Sequence, residues 1–281
     1  MTAGDWGRLV ALAAIWGAAF LFTRIVAPQI GPLATAEVRL LIGGGALAAY
    51  LWAVGYDPGW RRWIGHYALL GLVNSALPFL LFAYAALELS AGMLSVLNAT
   101  SPIWSAVWSA ILLGERPTGR LAAGLALGVG GVALITEVGA AGLSWLHILC
   151  ALGGAFSYGF AAAYMRRWTR EAPARGLAMG TQLVAGMVFL PLLAVSPSSI
   201  ELSPALITTV LAFGLLCNAL AYILFFRLVA DVGATGTLTV TYLIPVFGVL
   251  WGALFLGESV SLSMLAGGAL VLLGTFFVVG K

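Results

Sequence analysis

The chain has 281 residues, of which 62% are hydrophobic and only 8% are charged, and its formal net charge is +3. A soluble domain carries roughly 25% charged residues, so this composition excludes a soluble protein and predicts an integral membrane protein. The 13 basic residues are scattered along the chain, which argues against a nucleic-acid-binding surface.

Ten apolar runs are long enough to cross a bilayer, which requires about 20 residues for each helix. The run after Arg8 continues to Phe22 without a cleavage site typical of a signal peptide, so it is interpreted as the first membrane helix. Short breaks rich in Pro, Gly and Ser separate the runs and predict antiparallel neighbours. The predicted helices cover roughly residues 6–27, 33–54, 65–87, 91–113, 119–137, 145–165, 176–195, 204–227, 234–256 and 262–279.

The positions of the basic residues predict the orientation of these helices. If the N-terminus lies in the cytoplasm, 11 of the 13 basic residues fall on the cytoplasmic side, and the exceptions are Arg24 and Arg39. Short cytoplasmic loops are enriched in Lys and Arg. We therefore expect a multi-pass protein of the cell inner (cytoplasmic) membrane, with both termini in the cytoplasm.

An internal repeat divides the chain into two halves. Residues 91–117 are similar to residues 234–260: Pro102 matches Pro245, and Leu-Gly-Glu at 113–115 matches 256–258, each at an offset of 143 residues. The sequence therefore predicts two fused five-helix units, residues 1–138 and 139–281, within one all-α membrane domain. Because five is an odd number, the two units must cross the membrane in opposite directions, as inverted-topology repeats do.

Helix 4 carries small polar residues at intervals that place them on one helical face. Close helix packing is the favoured interpretation for Ser105 and Ser109. Cavity lining is favoured for Asn98 and Ser101, since the neighbouring Pro102 leaves a backbone carbonyl without its helical partner. The full set is Ser95, Asn98, Ser101, Ser105 and Ser109.

Helix 9 repeats this arrangement, with Thr241 at the position that corresponds to Asn98. Gly248 and Gly252 are four residues apart, which is typical of a close contact between membrane helices. Gly124 and Gly128 in helix 5 have the same spacing, and helices 5 and 10 are nearly free of polar groups. We therefore expect helices 5 and 10 to be scaffold.

We predict a substrate cavity between the two repeats, lined by helices 1, 3, 4, 6, 8 and 9. For Asn74 and Asn218, a structural bond between helices explains a buried amide as well as ligand contact does. The aromatic residues in the middle of helices are open to the same two interpretations. The candidate substrate-binding residues are Trp16, Asn74, Pro78, Tyr84, Asn98, Ser101, Pro102, Trp104, Tyr158, Asn218, Tyr222, Thr241, Tyr242 and Pro245.

Ionisable residues within the predicted spans are few, and such residues are usually functional. Arg24 and Glu37 both lie toward the outer face of the membrane and are expected to pair. No carboxylate lies near Pro102 or Pro245, so a carboxylate proton relay has no evident carrier. The cysteines, Cys150 and Cys217, lie in different apolar runs, and we expect neither a metal nor a cofactor.

The order and duplication of several short motifs resemble the EamA-type members of the drug/metabolite transporter superfamily, over essentially the whole chain. The resemblance implies ten helices in two repeats and export of amino acids or related metabolites. One departure is Gln182, which stands in the second repeat where Arg39 stands in the first. The matching motifs are Trp16-Gly17, Phe20, Arg39-Leu40, Pro102, Leu113-Gly114-Glu115, Gly124, Gly131-Val132, Tyr158-Gly159, Pro245, Leu256-Gly257-Glu258, Gly267 and Gly274.

These observations predict a transporter that exports neutral or zwitterionic metabolites, foremost aromatic or other apolar amino acids, by alternating access. Efflux of lipophilic drugs is the alternative within the same class. An intramembrane enzyme would require a nucleophile and a base, and the two histidines, His66 and His147, lie at opposite membrane faces. A purely structural protein is disfavoured by the inverted repeat. We expect a monomer whose partners are the lipid bilayer and a small substrate, and no nucleic acid.

Overall fold

A computed structural model describes residues 2–116, 118–138, 144–194, 203–237 and 239–279 of the chain. Within these ranges the chain forms ten helices in the predicted order. Nine are long and apolar enough to cross a membrane, and the tenth, α9, is a shorter apolar helix. The helices are α1 Ala3–Ile30, α2 Pro32–Ala53, α3 Trp60–Ala85, α4 Ala91–Leu113, α5 Gly119–Val138, α6 Trp145–Trp168, α7 Ala174–Ala194, α8 Pro204–Gly233, α9 Val240–Leu256 and α10 Leu262–Val279.

The helix ends follow from capping chemistry in the sequence. Side-chain oxygens of Ser90, Ser144 and Ser203 accept backbone N–H groups at the starts of α4, α6 and α8, as N-cap serines do. Gly114 and Gly257 end α4 and α9 in the left-handed conformation, with φ of 68° and 64°. Because only glycine adopts this conformation without strain, the glycine of each Leu-Gly-Glu motif is a helix stop.

Polar contacts at the helix ends are consistent with alternating helix directions. Here the face at which α1 begins is called the amino-terminal face. At this face Arg8 pairs with Asp231 near the end of α8, and Arg62 at the start of α3 pairs with Glu171. At the opposite face the Glu88 carboxylate accepts the backbone N–H of Ser144 at 3.0 Å. The ends of α3 and α8 thus lie on different faces, as two inverted five-helix repeats require.

The two repeats pack through equivalent helices. Helix α9 packs on α1 and α4 packs on α6, while α2 packs on α7 and α5 on α10. Each repeat also contains one π-helical segment, Leu72–Ala76 in α3 and Leu215–Leu220 in α8. Their first residues are 143 apart, so the irregularity belongs to the repeat itself. Such segments occur frequently at functional sites.

A seam between α4 and α9 closes at the opposite face. The Glu258 carboxylate accepts the backbone N–H groups of Ala91 and Gly92, at 2.8 and 3.3 Å. An ideal Cβ at Gly248 would lie 2.3 Å from the Ser95 side chain, which confirms the predicted close approach. A carboxylate at a helix N-terminus is stabilising. The second Leu-Gly-Glu motif therefore joins the second repeat to the first.

Helices α5 and α10 form a pair beside the other eight. The backbones of Gly131 and Gly267 meet, since an ideal Cβ on either would lie 2.6 Å from the other's carbonyl oxygen. Gly124 similarly packs against Gly274. Small residues allow such contact between membrane helices, as predicted for this face of α5.

Candidate functional site

A cavity of about 320 Å³ lies between the two repeats, within the size range of small-molecule sites. Helices α1, α3, α4, α6, α8 and α9 line it as expected, and α2 contributes Arg39 in addition. No described residue of α5 or α10 lines this cavity. The lining residues are Trp16, Ala19, Phe20, Thr23, Arg39, Asn74, Phe79, Phe82, Asn98, Ser101, Tyr158, Cys217, Tyr222, Phe225, Val240, Thr241 and Ile244.

Arg39 brings a cation to the cavity wall. Its Nε donates a hydrogen bond to Asn218 Oδ1 at 2.7 Å. The guanidinium carbon lies 3.8 Å from the centre of the Phe79 ring and 4.8 Å from that of Phe213. Such cation–π contacts offset part of the cost of placing a charge away from water. None of the carboxylates that the structure describes forms an ion pair with Arg39.

Two buried amides hold Arg39 in place. Asn218 donates from Nδ2 to Gln182 Oε1 at 2.6 Å and to the Arg39 carbonyl at 3.2 Å. Gln182 donates in turn to the Ala178 carbonyl at 3.1 Å. Both amide side chains are fully buried, and buried amides in membrane proteins require such partners. Of the two interpretations of Asn218, the structural bond between helices is present, and it links α2, α7 and α8 across the repeats.

Close packing of α2 against α8 positions this network. An ideal Cβ at Gly43 would lie 2.4 Å from Asn218 Cβ and 2.9 Å from Gln182 Oε1. The π-helical segment of α8 carries Asn218 as well as the cavity residue Cys217. Gly43 thus leaves the space that the two amides occupy.

Aromatic rings form much of the remaining wall. Trp16 contacts Tyr222 and Phe225, with ring centroids 6.1 and 5.6 Å apart. Across the cavity, Tyr158 stacks on Phe82 at 6.2 Å. Rings held by neighbouring rings provide a rigid apolar surface for a flat or aliphatic ligand group.

Several polar groups of the wall are available to a ligand. The structure gives no hydrogen-bond partner among its described residues to the side-chain amides of Asn74 and Asn98 or the hydroxyls of Tyr158 and Tyr222. All four belong to half-buried or buried residues that line the cavity. Amides and hydroxyls can both donate and accept, so the wall can serve an ammonium group as well as a carboxylate.

The other candidate residues lie outside this cavity. Tyr84 stacks on His147 with ring centroids 4.8 Å apart, near the opposite face. Trp104 lies in a separate, mainly apolar groove of about 430 Å³ between α4, α5 and α6. Asn218 lies behind Arg39, as described above. The remaining candidates are within helices. Pro78 follows the π-helical segment of α3, and Pro102 is in the first helical turn after a break at residues 99–100 of α4. Tyr242 is half-buried, and the Pro245 carbonyl accepts a 3.5 Å hydrogen bond from Ser95.

The expected ion pair between Arg24 and Glu37 is absent, so this prediction was wrong. Arg24 donates instead to the carbonyls of Ala86 and Leu87 at the end of α3, the latter at 2.8 Å. Terminal helix carbonyls have no partner within their own helix and attract a cation. Glu37 is fully buried, and neither carboxyl oxygen has a hydrogen-bond partner among the described residues.

Some cavity features were not among the sequence candidates. Arg39 was noted as a charge near or within a helix but was not assigned to the site, and Gln182 was noted only as its counterpart in the repeat. The phenylalanines of the wall carry no signal that separates them from core residues. The signal that could have found Arg39 was its unpaired charge within an apolar run.

Comparison with known proteins adds to this geometry. The sequence profile of the EamA-like transporter family matches residues 6–137 and again residues 145–280. The chain is 30% identical over 263 residues to the uncharacterized transporter YvbV of Bacillus subtilis (strain 168), covering 92% of this chain and 86% of that protein. It is 28% identical over 286 residues to the uncharacterized inner membrane transporter YedA of Escherichia coli (strain K12), covering 98% and 91%.

A third relative carries a substrate in its name. The probable terminal-alkyne amino-acid exporter of Streptantibioticus cattleyicolor is 26% identical over 277 residues, covering 96% of this chain and 91% of that protein. A solved crystal structure superposes with a TM-score of 0.67 at 19% identity, covering 99% of this chain and 96% of the other. That similarity supports the fold alone.

Proposed function

The chain belongs to the EamA-like transporter family, and we propose that it exports small zwitterionic metabolites, most of all amino acids with aromatic or other apolar side chains. The observation that carries this proposal is the composition of the cavity wall: one guanidinium, the amides of Asn74 and Asn98, the hydroxyls of Tyr158 and Tyr222, and a surface of aromatic rings. Pockets of this kind use a few polar groups to orient a ligand whose remaining surface is apolar.

The name of one relative supports the same substrate class. The protein of Streptantibioticus cattleyicolor is described as a probable amino-acid exporter with a terminal-alkyne substrate, which combines a zwitterionic head with a small apolar side chain. Our proposal extends that class to this chain. Transport rather than catalysis is also in keeping with YvbV and YedA, which are both named transporters.

We propose alternating access of the two repeats as the mechanism. The first repeat would be residues 1–138 and the second residues 139–281, a division supported by the two profile matches. The Glu258 contact with the start of α4 joins the repeats at the opposite face of the α4–α9 seam. Rocking of one repeat against the other would release this contact and form its counterpart at the amino-terminal face.

We further propose that the protein is a monomer of the inner membrane with both termini in the cytoplasm. The orientation rests on the distribution of basic residues, and the membrane on the description of YedA as an inner membrane transporter. In this orientation the start of α4 and the end of α9, which the Glu258 contact joins, would face the cell exterior.

Efflux of lipophilic compounds is the second candidate. It is favoured by the number of aromatic rings in the cavity wall and by the apolar groove beside Trp104, between α4, α5 and α6. A lipophilic cation would be disfavoured by the Arg39 charge, whereas a neutral compound would not.

Flux in proteoliposomes distinguishes the two candidates. Purified protein is reconstituted, loaded with labelled phenylalanine, leucine, lysine, glutamate or tetraphenylphosphonium, and efflux is compared with that of protein-free liposomes. We expect efflux of phenylalanine and leucine, competition by unlabelled phenylalanine, and little flux of tetraphenylphosphonium. Transport of tetraphenylphosphonium without any amino-acid flux would contradict the proposed function.

A further inference from the structure

Arg39 is a cation at the wall of an intramembrane cavity for which the described residues provide no counterion. We propose that Arg39 binds the carboxylate of the transported ligand, which makes it a specificity-determining residue. The inference rests on the proposed function and refines it, since it names the ligand group that a single side chain recognises. It also holds for carboxylates that are not amino acids.

The first step of the argument is the inventory of charges. Several of the described carboxylates form ion pairs with other arginines. Glu115 pairs with Arg166, Glu171 with Arg62, and Asp231 with Arg8. Glu37 is two residues from Arg39 in sequence, but its oxygens accept no hydrogen bond. A charge at this depth is costly unless it is paired or faces a cavity, and Arg39 faces a cavity.

The second step is the number of unused donors. A guanidinium has five N–H groups in a fixed planar fork, and the structure gives one hydrogen bond from the Arg39 side chain, from Nε to Asn218. The Nη groups have no hydrogen-bond partner among the described residues. The Phe79 and Phe213 rings contact the guanidinium. Because a cation–π contact is made through the face of the ring, it does not use the N–H groups that point outward in the guanidinium plane. The arrangement leaves the donors that bind a carboxylate through two parallel hydrogen bonds.

The third step is that the fork is fixed before any ligand arrives. Asn218 is fully buried and donates to Gln182 Oε1, so its own Oδ1 is directed to Arg39. The Arg39 carbonyl accepts the second Asn218 donor. A side chain held in its binding geometry loses less entropy when it binds. Gln182, at the repeat position of Arg39, carries no charge, and Arg39 is the one cation among the described residues that line the cavity, which therefore offers one carboxylate site.

The rest of the wall suits the rest of an amino acid. Asn74 and Asn98 offer amide oxygens to an ammonium group, and Trp16 and Phe225 offer an apolar surface. A ligand without a carboxylate would leave the Nη groups of Arg39 without a hydrogen-bond partner on the ligand. Unpaired buried groups of this kind produce strong discrimination between closely related ligands.

Binding of matched ligands to purified protein in detergent tests this inference by isothermal titration calorimetry. The four probes are phenylalanine, phenylalaninamide, 3-phenylpropanoate and 3-phenylpropanamide. We expect each acid to bind about 10- to 100-fold more tightly than its amide, since hydrogen bonds to charged groups are worth that much. In Arg39→Gln this preference should disappear, and in Arg39→Lys it should be reduced because the fork is lost.

Two further variants keep the test decisive. Arg24→Gln removes an arginine of α1 that is bound to carbonyls outside the cavity, and this variant should retain the acid preference. Asn218→Asp keeps the side-chain shape and places an internal carboxylate beside Nε. It should lower the affinity for 3-phenylpropanoate about tenfold or more and leave that for the uncharged 3-phenylpropanamide unchanged, even if Arg39→Gln does not fold.

The outcomes separate this inference from the proposed function. Equal binding of acids and amides by the parent protein, no binding of any probe, or an acid preference that persists in Arg39→Gln would each overturn the role of Arg39. Phenylalanine flux together with equal binding would leave the exporter intact without this site. Binding of 3-phenylpropanoate that depends on Arg39, without amino-acid flux, would support the site and refute the amino-acid substrate.

Discussion

Substitution of Gly43 by alanine should destabilise the protein, whereas the same substitution at Gly45 on the same helix should not. An ideal Cβ at Gly43 would lie 2.4 Å from Asn218 Cβ, 2.8 Å from Asn218 Nδ2 and 2.9 Å from Gln182 Oε1. At Gly45 the added carbon would have no atom within 4 Å apart from its chain neighbours and the nearby backbone of its own helix. The two variants share the gain in helix propensity, about 1 kcal/mol for Gly to Ala, so their difference isolates the clash.

The size of that difference follows from the contacts. Overpacking a close-packed site costs roughly 1–3 kcal/mol. Movement of Asn218 would also weaken its bonds to Arg39 and Gln182, each worth about 0.6 kcal/mol on average between membrane helices. We therefore expect Gly43→Ala to be less stable than Gly45→Ala by about 2–4 kcal/mol.

Unfolding by sodium dodecyl sulfate in mixed micelles, followed by circular dichroism, measures this free energy. Binding of phenylalanine to Gly43→Ala should be weakened as well, because the fork of Arg39 loses its support, and binding to Gly45→Ala should be unchanged. Equal stability of the two variants would refute the described packing of α2 against Asn218 and Gln182.

Three other predictions follow from the described contacts and from the charge pattern. Glu258→Gln should lower the unfolding free energy by about 0.5–2 kcal/mol, as loss of a helix cap does. The control, Glu115→Gln, loses an exposed ion pair and should cost at most about 1 kcal/mol. Chemical unfolding compares the two variants, and a larger loss in Glu115→Gln would contradict the capping role of Glu258. Amino-acid flux should follow the substrate gradient alone, with or without an imposed pH difference, in the parent and in Glu37→Gln; accumulation driven by pH that Glu37→Gln abolishes would make Glu37 the coupling residue. A reporter fused after Lys281 should be active in the cytoplasm, and activity only outside the cell would reverse the orientation.

The helices and their order could be predicted from the sequence because each depends on local properties. Runs of about 20 apolar residues define membrane helices, and serine caps and glycine stops mark their ends. The offset between the Leu-Gly-Glu motifs predicts two repeats, and the odd number of helices in each predicts that they are inverted. The break between helices 8 and 9 was predicted after residue 227, whereas α8 continues to Gly233, whose φ is 78°. The six added residues, Leu228–Gly233, include one charged side chain, Asp231, and are otherwise apolar or glycine, so the helix continues through them until Gly233 ends it.

The arrangement of side chains around the cavity required rotation and register that local patterns do not contain. Asn98 and Ser101 line the cavity, but Trp104 does not. Each step of three residues on a helix leaves a rotation of about 60°, so Trp104 turns toward α5 and α6. The π-helical segments have no distinguishing sequence signal, yet the one in α8 sets the direction of the Asn218 side chain.

Charge pairing failed as a sequence prediction for a different reason. Arg24 and Glu37 had suitable depths, but the free carbonyls at the end of α3 bind Arg24. The predicted depth of a residue in the membrane does not show whether an arginine will bind a carboxylate or the carbonyls at a helix end. Arg39 was visible in the sequence, but its place in the wall depended on Asn218 and Gln182 in the other repeat.

The central claim is that substrate occupies the cavity between the repeats, and protection of a single cysteine tests it most directly. In a background in which Cys150 and Cys217 are replaced by alanine, Asn98→Cys places a thiol in the cavity and Trp104→Cys places one on the same helix outside it. Both are labelled with a small methanethiosulfonate reagent, with and without phenylalanine. At ten times the dissociation constant, we predict that labelling of Asn98→Cys slows about tenfold while labelling of Trp104→Cys is unchanged. Equal rates with and without phenylalanine at Asn98→Cys, in protein that binds phenylalanine, would contradict the claim.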